Sequence, residues 1–261
     1  MDPIAFVKEN VGHLASSFDS AFVVSAGGVG ITQYVLWMFI TLALTLVVVL
    51  TAAKRLTLVP NNKFVTMIEM GFQFIRRDMG ENIIGHGYKK HVPFLAALFF
   101  FILISNIMGL VPGAKTPTGA LSITWALAII SFIYFNFWGI KKRGGIGYLK
   151  SLCPSGLPLW IAPVVWALEV LSTCLRALTL AVRLYGNMFA GHMALGVFSL
   201  FIFAFCSSAI QNFSVVDGGL TLVWLALLVA MYTMEVLVAF VQAYVFTMLS
   251  AVYIQLATTE H

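Results

Sequence analysis

The stretch VVWALEVLSTCLRALTLAVRLYGNMFAGHMALGVFSLFIFAFCSSAIQ, residues 164–211, runs for 48 residues without a proline. A straight helix of that length would extend about 70 Å at 1.5 Å per residue, more than twice the roughly 30 Å hydrocarbon core of a bilayer. Either it folds into two short spans or it crosses once as a long, tilted helix. Gly186, Gly191 and Gly196 permit bends, but no Asn-Gly cluster interrupts it. Residues 220–258 pose the same question at shorter length, and Asn212–Gly219 between them has loop chemistry. We read the pair as a hairpin of two long tilted helices.

Upstream, Pro154, Pro158 and Pro163 end one helix and begin another. Residues 121–140 form an apolar span that stops at Lys141-Lys142-Arg143. Residues 92–112 form its hairpin partner, interrupted only by Ser105-Asn106 and closed by Pro112. A first span covers 31–53 and ends at Lys54-Arg55. Residues 61–91 differ in kind: Phe64, Met67, Ile68, Phe72 and Ile75 recur at helical spacing, with Lys63, Gln73, Arg76 and Arg77 on the other side. That pattern suits a helix lying on the membrane surface, or equally an amphipathic connector packed on its neighbours.

Composition agrees with the spans. Of 261 residues, 61% are hydrophobic and 10% charged, and the mean hydropathy is +0.97. A soluble domain carries roughly 25% charged residues, and disorder requires still less apolar content. The chain is therefore expected to be an all-α integral membrane protein: a polar outer segment over 1–30, then a single membrane domain over 31–261. The first 30 residues lack the basic start and immediate apolar core of a cleavable signal. The net charge of +5 and pI near 9.2 reflect topology rather than nucleic-acid binding. Lys54, Arg55, Lys63, Arg76, Arg77, Lys89 and Lys90 precede the second span; Lys141, Lys142, Arg143 and Lys150 follow the third. Two crossings place both clusters on one face, the cytoplasmic side or its equivalent, with the N-terminus outside and the C-terminus inside. Cys153, Cys174 and Cys206 lie far apart and suit small apolar packing rather than a disulfide or metal site. The six tryptophans and many phenylalanines suit mostly lipid-facing bulk and interface belts rather than a cofactor box.

Glu169, Arg176, Arg183, His192 and Glu235 fall inside the long helices. Each charge near a bilayer centre costs about 2.5–3.5 kcal/mol even on the lenient insertion scale, so such residues mark a path or a partner. Glu169, Ser172, Arg176, Thr179, Arg183 and Asn187 follow at steps of three or four and share one stripe. His192, nine residues past Arg183, falls on the opposite face; Glu235 and Gln242, seven apart, share a face. Glu169–Arg176 and His192–Glu235 also admit a plainer explanation as buried ion pairs. Arg183 has no carboxylate three or four residues away and cannot deprotonate, so it needs an anionic partner, which another chain can supply. Gly186, Ala190, Gly191, Ala194 and Gly196 would let backbones approach closely. Asn106 and Asn136 are neutral polar residues in the second and third spans, either interhelical glue or the lining of a water chain.

The run Arg183-Leu-Tyr-Gly-Asn187-Met-Phe-Ala-Gly191-His192 resembles subunit a of the F-type ATP synthase. Glu235…Gln242-Ala-Tyr-Val-Phe-Thr-Met-Leu-Ser-Ala-Val-Tyr253 fits that family's final helix, Glu169 stands fourteen residues before Arg183, and Asn106 lies in a matching Ser-Asn-Ile-Met-Gly-Leu-Val-Pro. The likeness runs from about Phe64 to the C-terminus. It implies a non-catalytic stator subunit with no cofactor. Arg183 would face a ring of c subunits, and the other partners would be b-type peripheral-stalk subunits and the rest of the F1Fo complex. His192, Glu235, Asn187 and Gln242 would line the outer half-channel and Glu169 the inner one, with Arg176, Asn106, Asn136 and Tyr253 in support. Many relatives carry a carboxylate at the position of His192 and a histidine at that of Glu235, so the pair is exchanged here. Gly109 stands where some have an acid, and Arg176 where some have lysine. The membrane would be a bacterial plasma membrane or, alternatively, an organelle inner membrane. Two rival classes remain: a secondary transporter, which would favour repeats and helices broken at mid-membrane, and a structural assembly subunit with inert ion pairs.

Overall fold

A computed structural model describes residues 3–16, 22–26, 29–54, 63–111, 114–144, 147, 161–213 and 215–258. Apart from one short strand pair the described chain is helical. Five of its helices are long and apolar enough to cross a membrane, as the all-α membrane class requires.

The first 30 residues hold more order than their sequence announces. Helix α1 (Pro3–Ser16) packs on the second half of the first long helix, with the rings of Phe6 and Phe203 5.6 Å apart. Strands β1 (Phe22–Ala26) and β2 (Val29–Thr32) then pair antiparallel, Ala26 opposite Val29 and Ser25 opposite Gly30. Helix α2 (Gln33–Lys54) follows directly.

The amphipathic stretch breaks into pieces. Helix α3 (Lys63–Phe74) passes into a wider π-helical coil over Ile75–Ile84, where the Gly85 amide reaches back five residues to the Gly80 carbonyl at 3.1 Å. Gly85 and Gly87, at φ 71° and 85°, then turn the chain through a 3-10 turn at Tyr88–Lys90. Gly80 has a packing reason: a Cβ there would come within 2.8 Å of the Tyr88 ring. Ile68, Ile75 and Met79 are buried in the main core rather than spread on a surface, so the helix is docked on its neighbours along that edge, while Phe64, Met67 and Phe72 stay exposed.

Helices α4 (Val92–Gly109) and α5 (Leu121–Arg143) form the shorter hairpin, and α6 (Ala162–Asn212) and α7 (Val215–Thr258) the long one. Both long helices are unbroken, at 51 and 44 residues, with Pro163 in the first turn of α6, where its missing N–H costs nothing. The loop expected over 212–219 is far shorter. Among the described residues of this connection Phe213 takes a left-handed turn at φ 48°, and α7 resumes at Val215 with Asp217 in its first turn. A carboxylate suits that positive helix end, and Asp217 also accepts a 2.8 Å bond from Ser208, closing the hairpin. The proline-marked break at Pro154 and Pro158, and Cys153, lie outside the described residues.

The core joins α3, the π segment and α4–α7 through Leu95, Phe99, Ile102, Ala128, Phe135, Leu184, Phe246 and Ile254. Several phenylalanines thus build the interior instead of facing lipid. Buried Ser131 and Ser250 bond across α5 and α7 at 2.9 Å, and Lys142 donates to the Thr258 carbonyl at 2.7 Å. The latter contact puts the end of α7 beside the basic end of α5. Cys174 and Cys206 are exposed free thiols, not packing residues.

Candidate functional site

The polar residues of α6 and α7 gather at three levels. At the end away from Lys141–Arg143, α4 finishes at Gly109, and the loop that follows folds its Thr116 hydroxyl onto the His192 Nε2. Gly109 lies directly beneath: a Cβ there would overlap Thr116 and stand 2.8 Å from His192 Nε2. Around them opens a cleft of about 260 Å3, bounded by Tyr34, Lys115, Thr116, His192, Ser199 and Tyr232 among others. The loop is pinned from below. Thr118 donates to Asn106 Oδ1 at 2.7 Å, and Asn106 Nδ2 donates to the Ala239 carbonyl of α7 at 3.3 Å. Asn106 and Thr118 are wholly buried, so the network replaces the water these groups lose.

Deeper, Glu235 is 4% exposed and turned toward α6. Its carboxyl lies over Gly191, where any side chain would overlap both oxygens, and Oε1 has no hydrogen-bond partner. The ion pair considered between Glu235 and His192 is not formed: the imidazole bonds Thr116 instead. One turn further, Asn187 donates to Gln242 Oε1 at 2.8 Å, joining α6 to α7 through an exposed and a buried amide.

Arg183, one turn before Asn187, is exposed and makes no hydrogen bond or ion pair with any described residue. Towards the basic end, Arg176 is paired with Glu169 at 3.0 Å, the two side chains 27% and 39% exposed, and lies 5.6 Å from the centre of the Tyr253 ring. This contact spans two helical turns within α6, so the pair is neither buried nor a link between helices. The expected stripe thus has one neutralised end and one bare cation. Asn136 donates to the Phe132 carbonyl one turn back at 2.7 Å and is half-buried. Among the small residues, Gly191 meets a neighbour closely, whereas a Cβ on Gly186 would meet open space.

A sequence profile of the ATP synthase A chain family matches residues 35–255. The chain belongs to that family. It is 34% identical over 242 residues to the ATP synthase subunit a of a Methylobacterium species, covering 91% of this chain and 93% of the relative. It is 37% identical over 235 residues to that of a Nocardioides species, covering 88% and 83%. With the ATP synthase subunit a of Rhodobacter capsulatus it shares 35% over 224 residues, covering 86% and 91%. The family match begins within α2, well before Phe64, and ends within α7, so every polar residue above except Tyr34 lies inside it, while α1 and the strand pair precede it. Sequence reasoning missed Thr116, Thr118 and the tight placement of Gly191. The Thr116–His192 bond joins residues 76 positions apart, beyond the reach of any local periodicity.

Proposed function

We propose that the chain is the proton-translocating stator subunit of an ATP synthase Fo sector, multi-pass in a bacterial plasma membrane like that of its bacterial relatives. Two half-channels would connect the two aqueous sides to carboxylates on a ring of c subunits. The observation that carries this reading is Arg183: a permanent cation on the exposed side of a membrane helix, without an anionic partner among the described residues. An isolated charge there is costly unless a neighbouring chain brings an acid to it.

A proton enters the cleft beside His192 and passes by Glu235 and the Asn187–Gln242 pair to a ring carboxylate. Once neutral, that carboxyl turns into lipid without the charge penalty. A protonated carboxyl arriving at Arg183 loses its proton, because an adjacent cation favours the ionised form. That proton leaves on the basic side past Glu169, whose charge is already balanced by Arg176. Each crossing delivers about 2.3 kcal/mol per 100 mV, taken up as ring rotation. Arg183 also keeps protons from leaking between the half-channels by electrostatic exclusion. This chain makes no bond itself; ATP chemistry belongs to partner subunits, among which b-type stalk subunits hold it against rotation. A secondary transporter would favour helices broken at mid-membrane, whereas α6 and α7 are continuous.

Arg183→Ala in reconstituted membranes is the test. Proton-driven ATP synthesis should be lost while the assembled complex copurifies intact; normal coupled synthesis would reject the reading.

A further inference from the structure

We propose that Thr116 is a positioning residue of the outer proton path, its hydroxyl holding the His192 imidazole in one orientation through both protonation states. The inference rests on the proton-path reading above and adds to it a residue from outside the long helices.

The loop that carries Thr116 is built to hold still. Thr116 is 3% exposed and extended, at φ −70° and ψ 118°, and its carbonyl accepts the Gly119 amide at 2.9 Å. Two residues on, Thr118 is tied to Asn106, and Asn106 to the Ala239 carbonyl, one turn beyond Glu235 on α7. The end of α4, the loop, α6 and α7 therefore meet around a single imidazole. Gly109 completes the arrangement, because the space its Cβ would take is filled by Thr116 and bordered by His192.

Chemistry favours a hydroxyl at this point. An imidazole turns about its terminal torsion over a broad, roughly two-fold range unless a partner fixes it. Neutral histidine presents one donor and one acceptor nitrogen, and the protonated ring presents two donors. A threonine hydroxyl donates to a bare Nε2 and accepts from a protonated one, so the contact survives a proton arriving or leaving. An alkyl group of the same shape does neither. The other polar and charged groups around the ring are Lys115, Tyr34, Ser199 and Tyr232 in the cleft and Glu235 across Gly191. Without its hydroxyl partner the ring would be free to swing among them.

The test uses the whole complex in proteoliposomes, energised by an imposed potential and pH difference, with assembly checked by copurification. Thr116→Val should slow ATP synthesis roughly tenfold and move the midpoint of its dependence on pH in the proton-supplying compartment. Thr116→Ser, which keeps the hydroxyl, should return both to within about twofold of the parent. Gly109→Ala, whose Cβ would overlap Thr116 and crowd His192 Nε2, should move the midpoint in the same direction. It carries the test alone if Thr116→Val does not assemble. An unmoved midpoint in Thr116→Val, or in Gly109→Ala where that variant stands alone, overturns the proposal. So does equal impairment of the valine and serine variants, which would make volume rather than the hydroxyl decisive. Arg183→Ala in the same vesicles separates the two levels: if it abolishes synthesis while Thr116→Val is silent, the Thr116 role falls and the proton path stands. If Arg183→Ala leaves synthesis coupled, the path itself falls.

Discussion

Gly191→Ala adds one methyl group where the Glu235 carboxyl lies against α6. The new Cβ would sit well inside contact distance of both Glu235 oxygens and Cδ, so the end of that side chain must move. Carbon atoms rest about 3.5–4.0 Å apart, so the carboxyl must retreat by roughly 1 Å. Overpacking of this kind costs about 1–3 kcal/mol. The functional loss should be larger than that strain suggests, because a 1 Å misplacement of a working group can cost about 10²-fold in rate. We therefore expect ATP synthesis and ATP-driven acidification of inverted vesicles to fall about 100-fold, with the complex still assembled. Glu235→Asp shortens the side chain by one methylene and withdraws the carboxyl from position 191. Alone it should impair proton flux; combined with Gly191→Ala it should exceed Gly191→Ala alone by tenfold or more. Such non-additivity is the signature of direct contact in a double-mutant cycle. The reasoning is refuted if Gly191→Ala pumps normally, or if the double variant is no better than the product of the two single losses.

Two further outcomes follow from other parts of the fold. Asn106→Ala removes both bonds that tie the Thr118 loop to α7 and strands a buried hydroxyl, which should cost about 1–3 kcal/mol; an unchanged melting temperature of the detergent-solubilised complex would contradict this. His91, buried just before α4, faces the Tyr134 hydroxyl at 3.1 Å, and burial, then the charge of Lys90, hold its pKa below the usual histidine range. Its neutral form is the one the fold accommodates, so this contribution is complete above about pH 6.5, the unfolded value, and drains away as pH falls through the depressed folded one. Melting between pH 7.5 and 5 should be less pH-dependent in His91→Gln than in the parent, and identical slopes would count against it.

What the sequence made legible was whatever helix periodicity and solvation cost can encode. The long apolar runs required α6 and α7, and the lack of a nearby acid marked Arg183 as a cation in need of a partner. The spacing of Glu169 and Arg176 admitted the pair that forms. Loop chemistry misled at 212–219, because Gly218-Gly219 beside Asp217 reads as a turn, yet the carboxylate lies in the first turn of α7, bonded by Ser208, and both glycines are helical. The strand pair before α2 carried a signal that went unused, since Gly27-Gly28 separates its two strands in the sequence. The Thr116–His192 and Gly191–Glu235 contacts had no such signal. Each joins elements whose alignment is set by the packing of the whole bundle, and glycine's importance lies in the neighbour it admits.

The long helices bury little against their own chain. In their most apolar stretches only 17% of α6 and 11% of α7 is covered, against 50% of α4. A copy synthesised without its assembly partners would leave most of that surface to lipid, with Arg183 stranded among acyl chains. Orphan copies should then be poor at persisting, and the cell's supply of this polypeptide is best matched to its partners during synthesis rather than corrected by degradation afterwards.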